Sequence, residues 1–282
     1  SIVTVMELFS LVHLVYLFGW IALQSSWIKK PKRHLPKSMS LKRPDGGKLT
    51  YYHWPSKGPA LLLIPGSWSD YRQFDAIRNY LKDDINLVIV ELPGHGNSWP
   101  PALKGSIEDF ANNVLQVTDT LKWKSWYVGG HSIGGMVAIE LASKRPNEIK
   151  GIISIEGWSH HLVLNDAFAG QLYNTLTPVQ EKQRLKDSAR TLSRLTHKEC
   201  SEFRKIWKQW NGEHILKNTP VSILEVWGDR NKPRPSHKKM RIPNKDNIDL
   251  HWVKGASHSL PLEKAQEVAT VINQFVQIQS NH

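Results

Sequence analysis

Cysteine is nearly absent from this sequence, and so are the motifs of most nucleic-acid-binding proteins. The one cysteine among 282 residues, Cys200, excludes an intramolecular disulfide framework. No zinc-finger spacing, RNA-binding aromatic motif, internal repeat or low-complexity tract is present. Acidic residues are also few, with 25 Asp and Glu against 37 Lys and Arg. The basic residues are dispersed apart from Lys29–Arg33 and Lys238–Arg241, which favours solvated basic loops, and we predict no nucleic-acid partner.

Charged residues are scarce in the first 28 residues, which differ from the rest of the chain. Residues 8–23 are strongly apolar apart from Ser10 and His13, and extension back to Ile2 gives a length sufficient to span a bilayer. A basic cluster follows, so residues 2–28 are predicted to associate with a membrane and the remaining chain is predicted to be cytoplasmic. Two alternatives stay open. One is a helix packed on the core of a soluble cytoplasmic protein, and the other is a cleaved signal peptide, which the missing basic n-region disfavours.

Beyond this segment, short apolar runs alternate with segments that have a 3.6-residue apolar period. The alternation predicts an α/β fold with a mostly parallel eight-stranded sheet flanked by helices. We predict an N-terminal helix and linker over 1–37, a core over 38–157 and 221–282, and a helical cap over 158–220. The predicted strands are Ser38–Lys42, Leu49–Trp54, Ala60–Ile64, Asn86–Glu91, Ser125–Gly129, Gly151–Glu156, Val221–Trp227 and Ile248–Val253.

A serine stands between two glycines in the segment Gly130–Gly134, after a predicted strand and before a buried helical run. The pattern Gly-x-Ser-x-Gly in that context is typical of a nucleophile elbow. The turn is so tight that the residues two before and two after the serine must have almost no side chain. The bare pattern is a weak signal, but its strand-to-helix context is the one that the motif requires, so Ser132 is the predicted nucleophile.

A serine hydroxyl needs a base to take its proton, and an acid that orients the base. His258 follows the last predicted strand, and its small neighbours leave room for an imidazole. Asp229 follows the preceding strand, so the chain order is Ser, Asp, His. Glu156 ends the sixth predicted strand and is the alternative acid. We predict His258 as base and favour Asp229 over Glu156.

Two backbone amides are needed to stabilise the negative oxygen that forms when a serine attacks a carbonyl. One is predicted to be the amide of Ile133, the residue after the nucleophile. The other is predicted to be the amide of Ser67, in the loop after the third strand, where Gly66 permits the turn.

Together these residues resemble the α/β-hydrolase superfamily over roughly residues 38–280. Pro93–Ser98 is similar to the turn that follows the fourth strand in that family, usually Pro-Gly-His-Gly-x-Ser. One departure is Pro65-Gly66, where most relatives have His-Gly. Pro-Gly followed by Trp and Asp is also similar to the cofactor-free ring-cleaving dioxygenases of this fold. The resemblance implies an α/β-hydrolase fold with a helical cap and an esterase- or lipase-like activity.

Tryptophans are abundant near the predicted site, and three of them follow strands at its edge: Trp68, Trp99 and Trp158. We expect them to wall an apolar substrate pocket, although packing between cap and core explains them equally well. No charged residue occupies an obvious anchoring position, so a neutral ester is expected. His160-His161 has no third ligand at a suitable spacing, and no metal or cofactor is predicted.

The predicted function is that of a serine hydrolase which cleaves carboxylic esters through an acyl-serine intermediate. The alternatives are a cofactor-free dioxygenase, a lactonase or a C–C bond hydrolase at the same site, or a ligand receptor without turnover. The sequence leaves the acyl group, the alcohol group and the oligomeric state open.

Overall fold

A computed structural model describes residues 36–280, and within them all eight predicted strands are present in one sheet. The strand order is β1-β2-β4-β3-β5-β6-β7-β8, with β1 and β2 antiparallel to their neighbours and all other pairs parallel. The predicted α/β fold with a mostly parallel sheet is therefore confirmed. The strands are β1 (Lys37–Lys42), β2 (Lys48–Trp54), β3 (Ala60–Ile64), β4 (Asn86–Val90), β5 (Trp126–His131), β6 (Ile149–Ile155), β7 (Ile223–Gly228) and β8 (Ile248–Val253).

Helices cover both faces of the sheet. Successive strand residues point to opposite faces, so a strand that is apolar throughout has apolar side chains to bury on each face. On β3, Leu62 and Ile64 pack in one apolar layer, and Leu61 and Leu63 pack in the other. The helices are α1 (Asp75–Arg78), α2 (Ile107–Thr120), α3 (Ile133–Lys144), α4 (Val163–Phe168), α5 (Pro178–Leu192), α6 (His197–Lys208), α7 (Glu213–Asn218), α8 (His237–Met240), α9 (Leu260–Glu263) and α10 (Ala265–Ser280), and a 3-10 helix, Tyr71–Phe74, precedes α1. Helices α2 and α3 contribute to the first layer, and α1 and α10 contribute to the second.

Four helices, α4 to α7, occupy the interval between β6 and β7, and we call them the helical insertion. Thr177 and Thr196 begin α5 and α6 with capping boxes, in which each threonine side chain accepts a backbone N–H and the third helical residue bonds back. The helical content predicted for this interval is thus present. Its separation from the core as a cap over 158–220 stays a prediction.

The C-terminal helical region is interrupted once. Leu260 begins a short helix, α9, with Pro261 in its first turn, and the backbone leaves the helical region at Lys264 before α10 begins. Glu263, the last residue of α9, accepts the backbone N–H of Ser257 with its two carboxylate oxygens, at 3.1 and 3.2 Å. Helix α9 is thereby hydrogen-bonded to the loop that carries His258.

Candidate active site

Ser132 lies at the sharp turn between β5 and α3, where the Gly-x-Ser-x-Gly pattern predicts it. Its backbone has φ 56° and ψ −121°, a conformation that residues other than glycine rarely adopt. A Cβ on Gly130 would collide with the backbone of Gly134, and a Cβ on Gly134 would collide with the carbonyl of Ile64. The two glycines therefore permit the turn that fixes the serine at the carboxyl end of β5.

The imidazole of His258 lies between the hydroxyl of Ser132 and the carboxylate of Glu156. Its Nε2 is 3.1 Å from the Ser132 Oγ, and its Nδ1 is 3.0 Å from the Glu156 Oε1. Glu156 follows β6 and His258 follows β8, so loops at one edge of the sheet supply all three groups. Because an ionised carboxylate only accepts hydrogen bonds, Nδ1 carries the proton and Nε2 is left to accept the proton of the hydroxyl.

Asp229, the acid that the sequence favoured, has a different position and different partners. Its Oδ1 accepts the backbone N–H groups of Asn231 at 2.8 Å and Gly255 at 2.9 Å. These bonds join the turn after β7 to the turn after β8, and Asp229 has no hydrogen bond to His258 in the part of the chain that the structure describes. The preference for Asp229 is corrected accordingly, since Glu156, the alternative acid, is the carboxylate at the imidazole.

Glu156 is completely buried, and Arg230 forms a buried ion pair with it. The guanidinium donates from Nη1 to Oε2 at 2.5 Å and from Nη2 to Oε1 at 2.6 Å, while the backbone N–H of Gly228 donates to Oε2 at 2.9 Å. Burial by itself raises the pKa of a carboxyl group, but the charge and hydrogen bonds of Arg230 hold the pKa of Glu156 well below its usual range. The carboxylate at His258 is therefore ionised at neutral pH.

Gln73 connects three loops of the site through a chain of hydrogen bonds. Its Oε1 accepts the backbone N–H of Gly66 at 2.8 Å, and its Nε2 donates to Nδ1 of His131 at 3.0 Å. The Nε2 of His131 then donates to the carbonyl of His258 at 2.6 Å. Burial, together with the neighbouring imidazole of His258, lowers the pKa of His131 to about 3, so this ring is neutral with one proton, as the chain requires.

The sequence interpretation missed Gln73 and the structural part played by His131. Gln73 belongs to the 3-10 helix after β3, 58 residues from His131. No local pattern signals such a contact, because a glutamine in a polar turn is equally compatible with solvent exposure.

The two predicted oxyanion donors lie beside the nucleophile. Ile133 is the first residue of α3, so its N–H has no acceptor within the helix. Ser67 lies in the loop after β3, and both residues line the same cavity as Ser132. Within residues 36–280, neither backbone N–H is hydrogen-bonded to another group of the protein. Two backbone donors are thus available to an oxygen bound at Ser132.

A cavity of about 220 Å³ lies above Ser132 and His258. Trp68, Trp158 and Trp207 line it together with the side chain of Tyr173. Trp158 also packs on the imidazole of His258, with a distance of 5.2 Å between the ring centres. Two of the three predicted pocket tryptophans, Trp68 and Trp158, are therefore at the cavity.

Trp99, the third predicted pocket residue, is not among the residues that line this cavity. The guanidinium of Arg194 lies 3.9 Å from its ring centre, and its carbonyl accepts the backbone N–H of Lys48 at 2.9 Å. The loop after β4 is therefore bonded back to β2, which carries Trp99 away from the nucleophile. The prediction of Trp99 as a pocket residue is corrected on this ground.

The predicted membrane segment, residues 2–28, lies outside the described residues. Across 36–280, no helix has both the length and the apolar character needed to cross a bilayer. Over the same residues, no group of three or more His, Cys, Asp or Glu side chains is arranged to hold a metal ion.

A family model described as the alpha/beta hydrolase fold matches residues 59–267. The chain therefore belongs to the alpha/beta hydrolase fold family, as the motifs predicted. It is 21% identical over 234 residues to the dihydrolipoyllysine-residue acetyltransferase component of the acetoin cleaving system of Pseudomonas putida, a match that covers 75% of this chain and 61% of that protein. The chain thus spans about three fifths of the length of this curated relative, and less of the next ones.

Solved structures share the fold at low identity. A membrane phospholipase A, described as a bacterial virulence factor, has a TM-score of 0.73 and 19% identity, and the match covers 98% of this chain and 99% of that one. The enol-lactonase of Burkholderia xenovorans has a TM-score of 0.67 and 15% identity, with 85% of this chain and 100% of that one covered. Because the two named activities differ, the fold defines the class of protein and leaves the reaction to be inferred from the site.

Proposed function

We propose that this protein is a serine hydrolase which cleaves small carboxylic esters through an acyl-serine intermediate. The observation that carries the proposal is the continuous hydrogen-bonded chain from the Ser132 hydroxyl through His258 to Glu156, with distances of 3.1 and 3.0 Å. The 3.1 Å distance is within the range needed for proton transfer from the nucleophile to its base, and the 3.0 Å hydrogen bond orients that base.

In the proposed mechanism, the Ser132 Oγ attacks the ester carbonyl carbon while its proton passes to Nε2 of His258. Glu156 stabilises the imidazolium that forms, and the amides of Ile133 and Ser67 stabilise the negative oxygen. His258 then donates the proton to the departing alcohol, which leaves the acyl group on Ser132. A water molecule, deprotonated by His258, releases the acid and restores the hydroxyl.

The cavity supports small substrates. Its volume of about 220 Å³ lies below the roughly 300–1,000 Å³ that is typical of sites for drug-sized ligands. Its walls are rich in tryptophan, which favours an apolar portion next to the scissile bond. We therefore expect hydrolysis of short-chain esters to be faster than that of long-chain lipids.

The test compares labelling and hydrolysis in matched variants. A fluorophosphonate probe is expected to label the wild-type protein and not Ser132→Ala. Glu156→Gln is expected to lower kcat by on the order of 10³ to 10⁴, whereas Asp229→Asn stays within about tenfold of wild type, because only Glu156 contacts the imidazole. Labelling that persists in Ser132→Ala, or a larger loss in Asp229→Asn than in Glu156→Gln, contradicts the proposal.

The same assay distinguishes the alternative reactions. A p-nitrophenyl ester series of increasing acyl length is run beside lactones, a C–C hydrolase substrate and a quinolone under oxygen. Turnover of the esters with release of the free acid supports the proposed function. Turnover of the quinolone alone, or probe labelling without turnover of any substrate, supports the dioxygenase or the receptor instead.

Membrane association through residues 2–28 remains part of the proposal, supported by the apolar run and the basic cluster that follows it. Cell fractionation of the chain with and without residues 1–37 tests it. A soluble distribution that does not change on deletion contradicts the anchor.

A further inference from the structure

The cavity above Ser132 is lined by positively charged side chains. Arg184 and Arg204 both line it, and none of the described residues that line it is Asp or Glu. The buried Glu156 lies behind His258 and is already neutralised by Arg230. A cavity bordered by charge of one sign raises the local concentration of ligands of the opposite sign. This wall corrects the expectation that no charged residue would be in an anchoring position.

Arg184 is held in place and its charge is compensated. It donates from Nε and Nη2 to the carboxylate of Glu181 at 2.8 and 2.6 Å, and its guanidinium lies 3.9 Å from the ring centre of Tyr173. Glu181 does not line the cavity, so the arginine faces it with part of its charge already paired. Arg184 is therefore the weaker of the two candidates for binding an anion.

Arg204 is different, because it has no partner of opposite charge within residues 36–280. It lies on α6, and its guanidinium is 5.6 Å from the ring centre of Trp68. In the part of the chain that the structure describes, it forms neither a hydrogen bond nor an ion pair. Its neighbour Lys205, by contrast, is paired with Glu202 at 2.7 Å. Arg204 is exposed and also lines the cavity, so it lies where the cavity meets solvent.

We propose that Arg204 binds a carboxylate of the substrate, so that the esters cleaved here are short monoesters carrying a free acid group. This inference rests on the proposed function, because the ester carbon must lie at Ser132 while the acid group lies at the cavity opening. A guanidinium matches a carboxylate with two parallel hydrogen bonds, which gives direction as well as attraction. The tryptophan walls would contact the carbon chain between the two ends.

The test uses pairs of esters that differ only in the acid group. Monomethyl succinate, glutarate and adipate are compared with methyl butanoate, pentanoate and hexanoate, and kcat and KM are measured by titration of the acid released. The wild-type protein is expected to prefer the charged member of one pair by about tenfold in kcat/KM, the lower end of the range for a hydrogen bond to a charged group, because Arg204 is exposed. Arg204→Gln is expected to abolish that preference, mainly through KM, and Arg204→Lys to restore part of it.

Lys205→Gln is the matched control, because it removes the same charge from the next residue of α6 and Lys205 does not line the cavity. It is expected to leave the preference as in wild type. Equal losses on charged and neutral esters in Arg204→Gln, or no preference in wild type, overturn the inference while ester hydrolysis itself stands.

A binding measurement keeps the inference testable if none of these esters is hydrolysed. Calorimetry of monomethyl glutarate with Ser132→Ala, and with Ser132→Ala/Arg204→Gln, measures the anion site without chemistry. Binding that is about tenfold weaker in the double variant supports the inference. Equal binding in both, or binding by neither, refutes it.

Discussion

Removal of the Arg230 side-chain charge should destabilise the protein and shift its activity toward higher pH. Arg230 and Glu156 are 1% and 0% exposed, and two hydrogen bonds of 2.5 and 2.6 Å join them. Arg230→Met keeps much of the side-chain volume but leaves Glu156 as an unpaired buried charge. The loss of one partner from a buried pair costs about 3–5 kcal/mol. For a domain of this size, that corresponds to a fall in Tm of roughly 10 °C, measured by circular dichroism.

The activity of Arg230→Met should depend on pH in a defined direction. In the wild-type protein, Arg230 holds the pKa of Glu156 below its usual range, against the effect of burial. Without Arg230, the hydrogen bonds from Gly228 and His258 remain, but the largest opposition to burial is gone and the pKa of Glu156 rises. Because the protonated acid no longer stabilises the His258 imidazolium, activity is lost as pH falls through the raised pKa. The acid limb of the kcat/KM profile on a neutral ester should therefore move to higher pH.

Two further variants separate the charge from the packing of Arg230. Arg230→Lys keeps a positive charge without the planar fork, so it should lose less stability and leave the acid limb near its wild-type position. Arg230→Met/Glu156→Gln removes both charges and should recover part of the Tm that Arg230→Met loses, although its kcat should be as low as that of Glu156→Gln. A Tm within 2 °C of wild type in Arg230→Met, or an acid limb that does not move, would refute the reasoning.

Two other predictions concern polar side chains, one fully buried and one half-buried. Glu225 is fully buried, and burial raises its pKa to about 8. The folded protein therefore retains a proton that the unfolded chain releases above about pH 4.5. The contribution of this group to the free energy of unfolding is lost as pH rises between these two values. Urea titrations should show Glu225→Gln gaining on the order of 4 kcal/mol relative to wild type between pH 5 and pH 8, and a constant difference across that interval would contradict this. Gln73→Leu breaks the chain from Gly66 through His131 to the His258 loop, so kcat should fall by about tenfold or more while KM changes less, and unchanged kcat with retained Tm would show that the chain does not position the site.

The strands and the nucleophile were predictable because their signals are local. The predicted limits of β3 and β8 agree with the structure, and the other six strands are displaced by one or two residues at their ends. Parallel strands covered on both faces need continuous apolar runs, and the elbow at Ser132 needs glycines at fixed positions. His258 was identified by its place after the last strand, which the topology brings to the same edge of the sheet.

The acid could not be chosen from the same kind of signal. β6 and β7 are neighbouring parallel strands, so Glu156 and Asp229 both emerge at the same edge, within one strand spacing of each other. The turns after β7 and β8 decide between them, because the backbone N–H groups of Asn231 and Gly255 donate to the carboxylate of Asp229. Arg230 directly follows Asp229 in the sequence, but only the structure shows that this arginine is buried and that, within residues 36–280, Glu156 is its ion-pair partner.

The pairing of Glu156 with Arg230 also determines the charge of the site during the proposed reaction. The pair is neutral as a whole, so the imidazolium of His258 adds a positive charge that Glu156 orients but does not fully compensate. That charge lies next to the forming negative oxygen at Ser132, and the arginines of the cavity wall add to the positive field. A substrate carboxylate at Arg204 would compensate the positive charge of the cavity wall without contacting the imidazolium. Because the buried pair has no net charge, the proposed preference for a short ester with a negative charge at its far end depends on the exposed arginine at the opening, Arg204.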